Sequence, residues 1–396
     1  MRSNHMLMGF KMDLNIRKDG WKKVRLDEVA VEYCSRINNP SDSEHELFVG
    51  SDNIGQWNFR VRSTESTSSV TSAMKEFRDG DYLLVRRSLY ASDFRERAPR
   101  AHFSGVCSGD ILTIREREDI LENGFLICIL NSPDIWKYIV ANASGSITRR
   151  IKWSDLKNYE FSLPPKSVQK DLVSLFWSLN SVIESQTKLL NSWGIAFKSA
   201  EKELLNCEHY DFNGILDVAK VQRGRFSHRP RNAPEFYGGK VPFIQTSEVV
   251  RSDKYIKNYT QTLNEKGLSV SKMFKQETIV MTIAANIGYV GMLGFESAFT
   301  DSLIGIHADE ELLTQDYLFF YLNSRREEIE SLSTQGAQKN LSIDRFKDFQ
   351  VFYPKDKNEQ KIISKKLSGL FSIKNLIENK LSSSEEMMTN LIYRVL

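Results

Sequence analysis

The stretch "FSLPPKSVQKDLVSLFWSLNSVIESQTKLLNS", Phe161 to Ser192, decides how the chain is built. A strand-like end runs into Leu163, Pro164 and Pro165, and a long helical pattern then begins in the middle of 396 residues. Proline's fixed φ and missing N–H are tolerated just before a helix or in its first turn, so the helix starts at these prolines. From Leu172 two rows of side chains recur every seven positions. One row holds Leu172, Leu179, Gln186, Trp193 and Ala200, the other Phe176, Ile183, Leu190, Phe197 and Leu204, and nine of these ten are apolar. A stripe so narrow, kept for five heptads, marks a coiled-coil seam rather than a helix lying on a broad core.

The pattern occurs twice. Shifted by 191 residues the rows hold Ile363, Leu370, Ile377, Ser384 and Leu391, and Leu367, Lys374, Leu381, Met388 and Val395, of which eight in ten are apolar. The segments ahead of the helices also match, "SGSITRRIKWSDLKNYEFSLPPKSVQKDLV" against "TQGAQKNLSIDRFKDFQVFYPKDKNEQKII". Pro164 falls on Pro354, Gln169 and Lys170 on Gln360 and Lys361, and Leu130, Asn131 and Ser132 on Leu322, Asn323 and Ser324. Thinner matches precede them: Val29 and Ala30 with Val218 and Ala219, Phe48 and Val49 with Phe243 and Ile244, and Phe77 with Phe274. A repeat of about 190 residues is the economical reading.

Each half opens with short β-branched runs such as "GDYLLVRR", "GDILTIRE", "ETIVMTIA" and "SLIGIHA" between turn residues, and these read as strands. Each half closes with a helix of about 40 residues, or roughly 60 Å at 1.5 Å per residue. The expected fold is α+β. Two similar domains, each a mixed β-sheet with short helices, are separated by two long helices forming an antiparallel coiled coil. The expected seam residues are Leu172, Phe176, Leu179, Ile183 and Leu190 against Ile363, Leu367, Leu370, Ile377 and Leu381, with the first four meeting the second helix rather than a core of their own domain.

At 45.6 kDa the chain exceeds one ordinary core, and 41% hydrophobic residues argue against dominant disorder. A net charge of +3 neither demands nor excludes a polyanionic partner. Cys34, Cys107, Cys128 and Cys207 lie far apart with no CxxC pair, which argues against a zinc site or a secreted disulfide framework. No apolar run reaches the length of a membrane span, and the reading is a soluble, cytoplasmic protein. Residues 1–20 read as an N-terminal extension in which "SNHM" resembles a cloning remnant.

Catalytic patterns are missing. There is no GxxxxGK[ST] or GxGxxG, and the six histidines show no HxxxH spacing. Pro133, Asp134, Asp155 and Lys157 spell PD(x)₂₀DxK, a spacing some metal-dependent nucleases use; the pattern is short, and Lys157 matches Lys347, where no equivalent acids stand.

Positive charge is instead concentrated. "RRSLYASDFRERAPR" carries Arg86, Arg87, Arg95, Arg97 and Arg100 with Tyr90 and Phe94 between them, and "KVQRGRFSHRPR" carries Lys220, Arg223, Arg225, Arg229 and Arg231 with no acid. Arg149, Arg150 and Lys152 in one half stand where Gln338, Lys339, Asn340 and Arg345 stand in the other. Arginine forks onto guanine, amides pair with adenine, and both basic residues bind phosphate. We therefore take Arg86, Arg87, Tyr90, Arg95, Arg97, Arg149, Arg150, Lys152, Arg223, Arg225, Arg229, Arg231, Gln338, Lys339 and Asn340 as candidate DNA-binding residues, with solvated surface charge as the alternative.

With the long helices introduced by "LPPKSVQKDLV" and "YPKDKNEQKII", each behind a Gly-containing polar stretch, the chain resembles the specificity subunit of Type I restriction-modification enzymes over nearly its whole length. The resemblance implies target-recognition domains over residues 21–164 and 207–353 and spacer helices over 165–206 and 354–396. It implies a non-catalytic subunit that binds an asymmetric, bipartite double-stranded DNA target. Two methyltransferase subunits and the restriction subunits would be its partners, and they, not this chain, would carry S-adenosylmethionine, ATP and Mg. The rival readings are a metal-dependent nuclease and a coiled-coil scaffold that binds protein only. Lys374 and Ser384 depart from an apolar seam.

Overall fold

The structure, a computed structural model, describes residues 18–40, 43–55, 59–87, 97–205, 210–228, 230–334 and 339–395. The chain divides into two compact units through the long helices rather than at their ends. The first takes the chain up to Thr187 together with the segment from Asn379 onward, and the second takes Lys188–Glu378.

In the first unit β1 (Lys22–Arg25) pairs antiparallel with β10 (Glu160–Leu163). A second sheet orders β2 (Ala30–Glu32), β9 (Ile111–Glu116) and β7 (Tyr82–Val85). A third orders β3 (Ser35–Ile37), β6 (Met74–Phe77), β8 (Gly105–Cys107), β4 (Leu47–Val49) and β5 (Glu65–Ser66). The helices are α1 (Leu26–Val29), α2 (Leu126–Leu130), α3 (Pro133–Asn142), α4 (Trp153–Leu156) and the long α5 (Lys166–Leu205).

The second unit repeats the plan. β11 (Asp211–Gly214) pairs antiparallel with β21 (Gln350–Tyr353). β12 (Ala219–Arg223), β20 (Leu303–Ala308), β17 (Ile279–Thr282), β18 (Val290–Leu293) and β14 (Tyr255–Ile256) form one sheet. β15 (Gln261–Leu263), β13 (Tyr237–Ile244), β19 (Ser297–Phe299) and β16 (Met273–Phe274) form another. Its helices are α6 (Ile215–Val218), α7 (Thr246–Val250), α8 (Glu265–Ser269), α9 (Gln315–Ser324), α10 (Arg326–Ser331), α11 (Ile343–Phe346) and the long α12 (Lys357–Val395).

Matches in sequence become matches in register. Phe48 and Val49 pair in parallel with Val106 and Cys107, and Phe243 and Ile244 pair in parallel with Ala298 and Phe299. Phe77 crosses Gly105 as Phe274 crosses Ser297, antiparallel in both cases.

The Pro…Gln-Lys words have a structural cause. Gln169 is buried beneath the start of α5, where its amide donates to the Pro164 carbonyl at 2.9 Å and its carbonyl accepts from the Glu122 backbone N–H at 2.8 Å. Gln360 does the same below α12, donating to Pro354 at 2.9 Å and accepting from the Thr314 N–H at 2.8 Å. Each glutamine thus satisfies backbone groups left over where a loop meets a helix end.

The seam departs from expectation. Leu172 and Phe176 are buried in the core of their own unit, with the Phe59 ring edge-on to Phe176 at 4.8 Å. Their helix partners there are Met388, Leu391 and Ile392, not Ile363 or Leu370. Ile363, Leu367 and Leu370 instead join the second unit's core with Phe197 and Trp193. Trp193 Nε1 donates to the Leu370 carbonyl at 2.8 Å, and the Phe197 and Phe371 rings meet at 5.0 Å. The reason is directional: an antiparallel pair sets early residues of one helix against late residues of the other, and the opening turns of each helix also face their own domain. Leu179 packs on the edge of the first core; Ile183 does too and shares a groove with Leu381. Leu190 is half-buried and Ile377 buried. Lys374 leaves the seam because Asp253 holds its Nζ at 2.7 Å and Glu378 at 3.3 Å.

Candidate nucleic-acid interface

In the first unit the basic segments, separate in sequence, come together where β7 ends. The backbone N–H of Arg86 donates to the Asp110 carbonyl at 3.0 Å, that of Ile151 to the Arg86 carbonyl at 3.1 Å, and that of Val85 to the Arg97 carbonyl at 3.0 Å. Arg87 and Arg150 face each other across an antiparallel bridge. Between them stands the Asp110 carboxylate, in the turn before β9. Arg87 Nη1 donates to one of its oxygens at 2.9 Å and Arg150 Nε to the other at 2.9 Å. The Asp110 side chain is 17% exposed and the two arginines 48% and 47%, so the acid is sheltered and the guanidinium faces remain open. Beside them Arg86 Nε is buried with no acceptor among the described residues. The Lys75 ammonium, also buried, reaches the Ile111 carbonyl next to Asp110.

Not every candidate belongs to this group. Arg149 donates to the carbonyls of Val140 at 3.1 Å and Ala143 at 2.7 Å, so it caps the C-terminal end of α3, where a cation meets orphan carbonyls and the negative end of the helix dipole. Lys152 is exposed at the entry to α4. Tyr90 and Arg95 lie outside the described residues.

The second unit gathers arginines at the corresponding turn, between β19 and β20, by another route. Arg223, at the end of β12, donates through Nε to the Asp301 carbonyl at 2.7 Å, and Arg231 forms an ion pair with the Asp301 carboxylate. Gly224 makes this possible: a Cβ there would collide with the Thr300 carbonyl and the Phe299 ring, so only glycine lets the Arg-Gly-Arg run lie on the turn. Arg225 is committed to structure, with Nε and Nη2 both on the Ser271 carbonyl at 3.1 and 2.7 Å. Ile283 and Ala284 occupy the places of Arg86 and Arg87: the Leu341 N–H donates to the Ile283 carbonyl at 2.9 Å, and Ala284 bridges to Asn340. The Ile283 N–H donates to Ser302 at 3.0 Å, which brings Asn340 and Lys339 to the same edge as Asp301. Lys339 pairs with Glu330 at 2.8 Å, and that hydrogen bond holds the Glu330 carboxyl below the usual range. Arg229 and Gln338 lie outside the described residues.

Asp110, Asp301, Gly224 and Lys75 were not among the residues singled out from sequence. The only signal for the acids was a turn dipeptide ahead of a strand, "GD" in one half and "TD" in the other.

The two acids of the nuclease-like spacing sit on separate short helices with other partners. Asp134 sits in the first turn of α3 with its carboxylate on Lys137 at 2.8 Å, while Asp155 lies in α4 and its backbone carbonyl accepts from Tyr138. Among the described residues no group of three His, Cys, Asp or Glu side chains could hold a metal ion, and no helix is long and apolar enough to cross a membrane. Burial pushes the Cys107 and Cys128 thiols up to about 12, far from thiolate reactivity. Glu201, on α5 within the second unit, lines a cleft of about 570 Å³ and hydrogen-bonds Asn323 at 3.2 Å; burial raises its carboxyl to about 7 against the lowering pull of Asn323, Lys198 and Arg325.

Residues 208–384 match the model of the Type I restriction modification DNA specificity domain. The second half of the chain thus carries a Type I DNA specificity domain, and the chain is similar to Type I restriction-modification specificity subunits. Two similar proteins come from Methanocaldococcus jannaschii. One, the putative type I restriction enzyme MjaX specificity subunit, is 24% identical over 298 residues, covering 70% of this chain and 67% of that one. The other, the type I restriction enzyme MjaIX specificity subunit, is 23% identical over 198 residues, covering 49% and 44%. The crystal structure of the Type I S subunit from M. genitalium shares the fold across 98% of both chains, with a TM-score of 0.65 at 14% identity. A chain solved in work on complex assembly and conformational transition of the type I system does so with a TM-score of 0.58 at 16% identity, over 94% and 97%. A specificity subunit recognises DNA targets within a restriction-modification complex and is not its catalytic member.

Proposed function

We propose that this specificity subunit reads an asymmetric, bipartite double-stranded DNA target, one half-site per recognition unit, and directs two methyltransferase subunits and the restriction subunits to it. The observation that carries the reading is the pair of arginine clusters at one and the same turn of the repeat, Arg87 and Arg150 about Asp110 and Arg223 and Arg231 about Asp301. Each cluster draws its arginines from different elements, so equivalent scaffolds present different donors, and different half-sites follow. Arginine forks suit guanine edges and phosphates alike. The 40 residues of α5 and 39 of α12 would fix the gap between half-sites. S-adenosylmethionine, ATP and Mg would act on the partner subunits, in the cytoplasm.

The test is binding of target DNA by the assembled complex across a salt series. Arg87→Ala with Arg150→Ala, and separately Arg223→Ala with Arg231→Ala, should each weaken binding and shallow the log K versus log salt slope by about one to two. Unchanged slopes for both double variants would sink the reading.

A further inference from the structure

The geometry points to Asp110 and Asp301 as positioning residues for DNA reading: at the same turn of its unit, the Asp110 carboxylate holds Arg87 and Arg150, and Asp301 holds Arg231 through its carboxylate and Arg223 through its carbonyl, in the orientation in which they meet one half-site. This rests on the reading that the clusters face DNA. An acid inside a site for a polyanion weakens raw attraction, and its presence at that turn in both units calls for a gain that offsets this. A free arginine carries substantial side-chain rotamer entropy, part of which is lost on forking to a base. Asp110 removes that freedom beforehand by taking Nη1 of Arg87 on one oxygen and Nε of Arg150 on the other, both at 2.9 Å. Each guanidinium keeps its remaining N–H groups, and about half of each side chain stays exposed.

The turn itself is held. The Asp110 carbonyl accepts from Arg86 at 3.0 Å, its N–H donates to Ser108 Oγ at 3.2 Å, and buried Lys75 grips the next carbonyl. Arg86 Nε is buried at this spot with no acceptor among the described residues. At Asp301, one residue earlier in the equivalent turn, the carbonyl takes Arg223 and the carboxylate takes Arg231, so the second unit also ties two arginines to one aspartate, by a different pair of acceptors. Preorganisation of this kind lowers the ordering cost only where the base edges match the held forks, so it favours the cognate half-site over others.

The experiment compares cognate DNA with single-base variants of each half-site in the assembled complex. Asp110→Asn, which keeps the shape and removes the charge, should raise affinity for unrelated DNA and steepen the salt slope, while discrimination falls about tenfold at one half-site only. Asp301→Asn should do the same at the other half-site. Discrimination within twofold of wild type at both half-sites, or an equal loss at both, would overturn the assignment. If Asp110→Asn fails to fold, Arg87→Lys with Arg150→Lys decides: the point charges remain but the forks are gone, so the same one-sided loss is expected with the salt slope kept, and no loss overturns the inference. If Arg87→Ala with Arg150→Ala leaves affinity and slope untouched, the face does not meet DNA at all; if that pair weakens binding while Asp110→Asn changes nothing, only the positioning role fails.

Discussion

Replacing Gln169 by alanine tests whether the glutamine under each long helix is a clamp. The side chain is 1% exposed and makes two hydrogen bonds to backbone groups, to the Pro164 carbonyl at 2.9 Å and from the Glu122 N–H at 2.8 Å. Truncation removes both partners from a site that water does not reach freely. Each orphaned buried group costs about 1–3 kcal/mol, so the pair together costs about 2–6 kcal/mol, less whatever a water entering the vacated space restores. That is a large share of a typical domain's stability. The assay is native-state hydrogen exchange followed by mass spectrometry, because it resolves the two units where a single melting curve would blend them. Protection at the Glu122 amide and across the first turns of α5 should fall about thirtyfold or more, while the Thr314 amide keeps its protection. Gln360→Ala should give the mirror result at Thr314 and α12. Loss below threefold at Glu122, or loss at both amides from one substitution, would refute the clamp.

Two further outcomes follow from the helices. Glu201 has its carboxyl raised to about 7 by burial, so the folded state holds that proton more tightly than the unfolded chain does. Its contribution is fully present below the ordinary value of about 4.5 and is lost as pH rises through 7; unfolding of the second unit between pH 5 and 8 should therefore show stability declining with pH, and Glu201→Gln should flatten that decline. Lys374→Leu would restore an apolar residue to the seam, yet a lower melting temperature by about 2–4 °C is expected, because Asp253 at 2.7 Å loses its half-buried partner; a rise in melting temperature would show that the seam outweighs the ion pair.

The repeat and the long helices were legible because both are written in local pattern: proline before a seven-residue stripe, twice. The register of the helix pair was not. Leu172 and Phe176 read as seam residues, but both belong to their own unit's core, where Phe176 meets Phe59, more than 100 positions away, and which late residues they face depends on where an antiparallel partner ends. Arginine enrichment was plain in "RRSLYASDFRERAPR" and "KVQRGRFSHRPR", whereas the duty of each arginine was hidden. Arg149 caps a helix and Arg225 grips a carbonyl 46 residues on, and no local spacing separates them from Arg150 or Arg223. Asp110 and Asp301 escaped notice because an acid in a turn is ordinary; its meaning comes from strands that deliver arginines from 23 and 40 positions away in one case and 70 in the other.

The ladder that joins β1 to β10, Lys22 opposite Leu163, and its counterpart joining β11 to β21, Asp211 opposite Tyr353, has one more effect. Each zips together the two ends of everything between them, so the intervening segment enters and leaves at a single doorway. A segment anchored in this way can be exchanged for another of different length and content while the path of the flanking chain stays as it was. Such a doorway lets the content of the segment change independently of the helix that follows it.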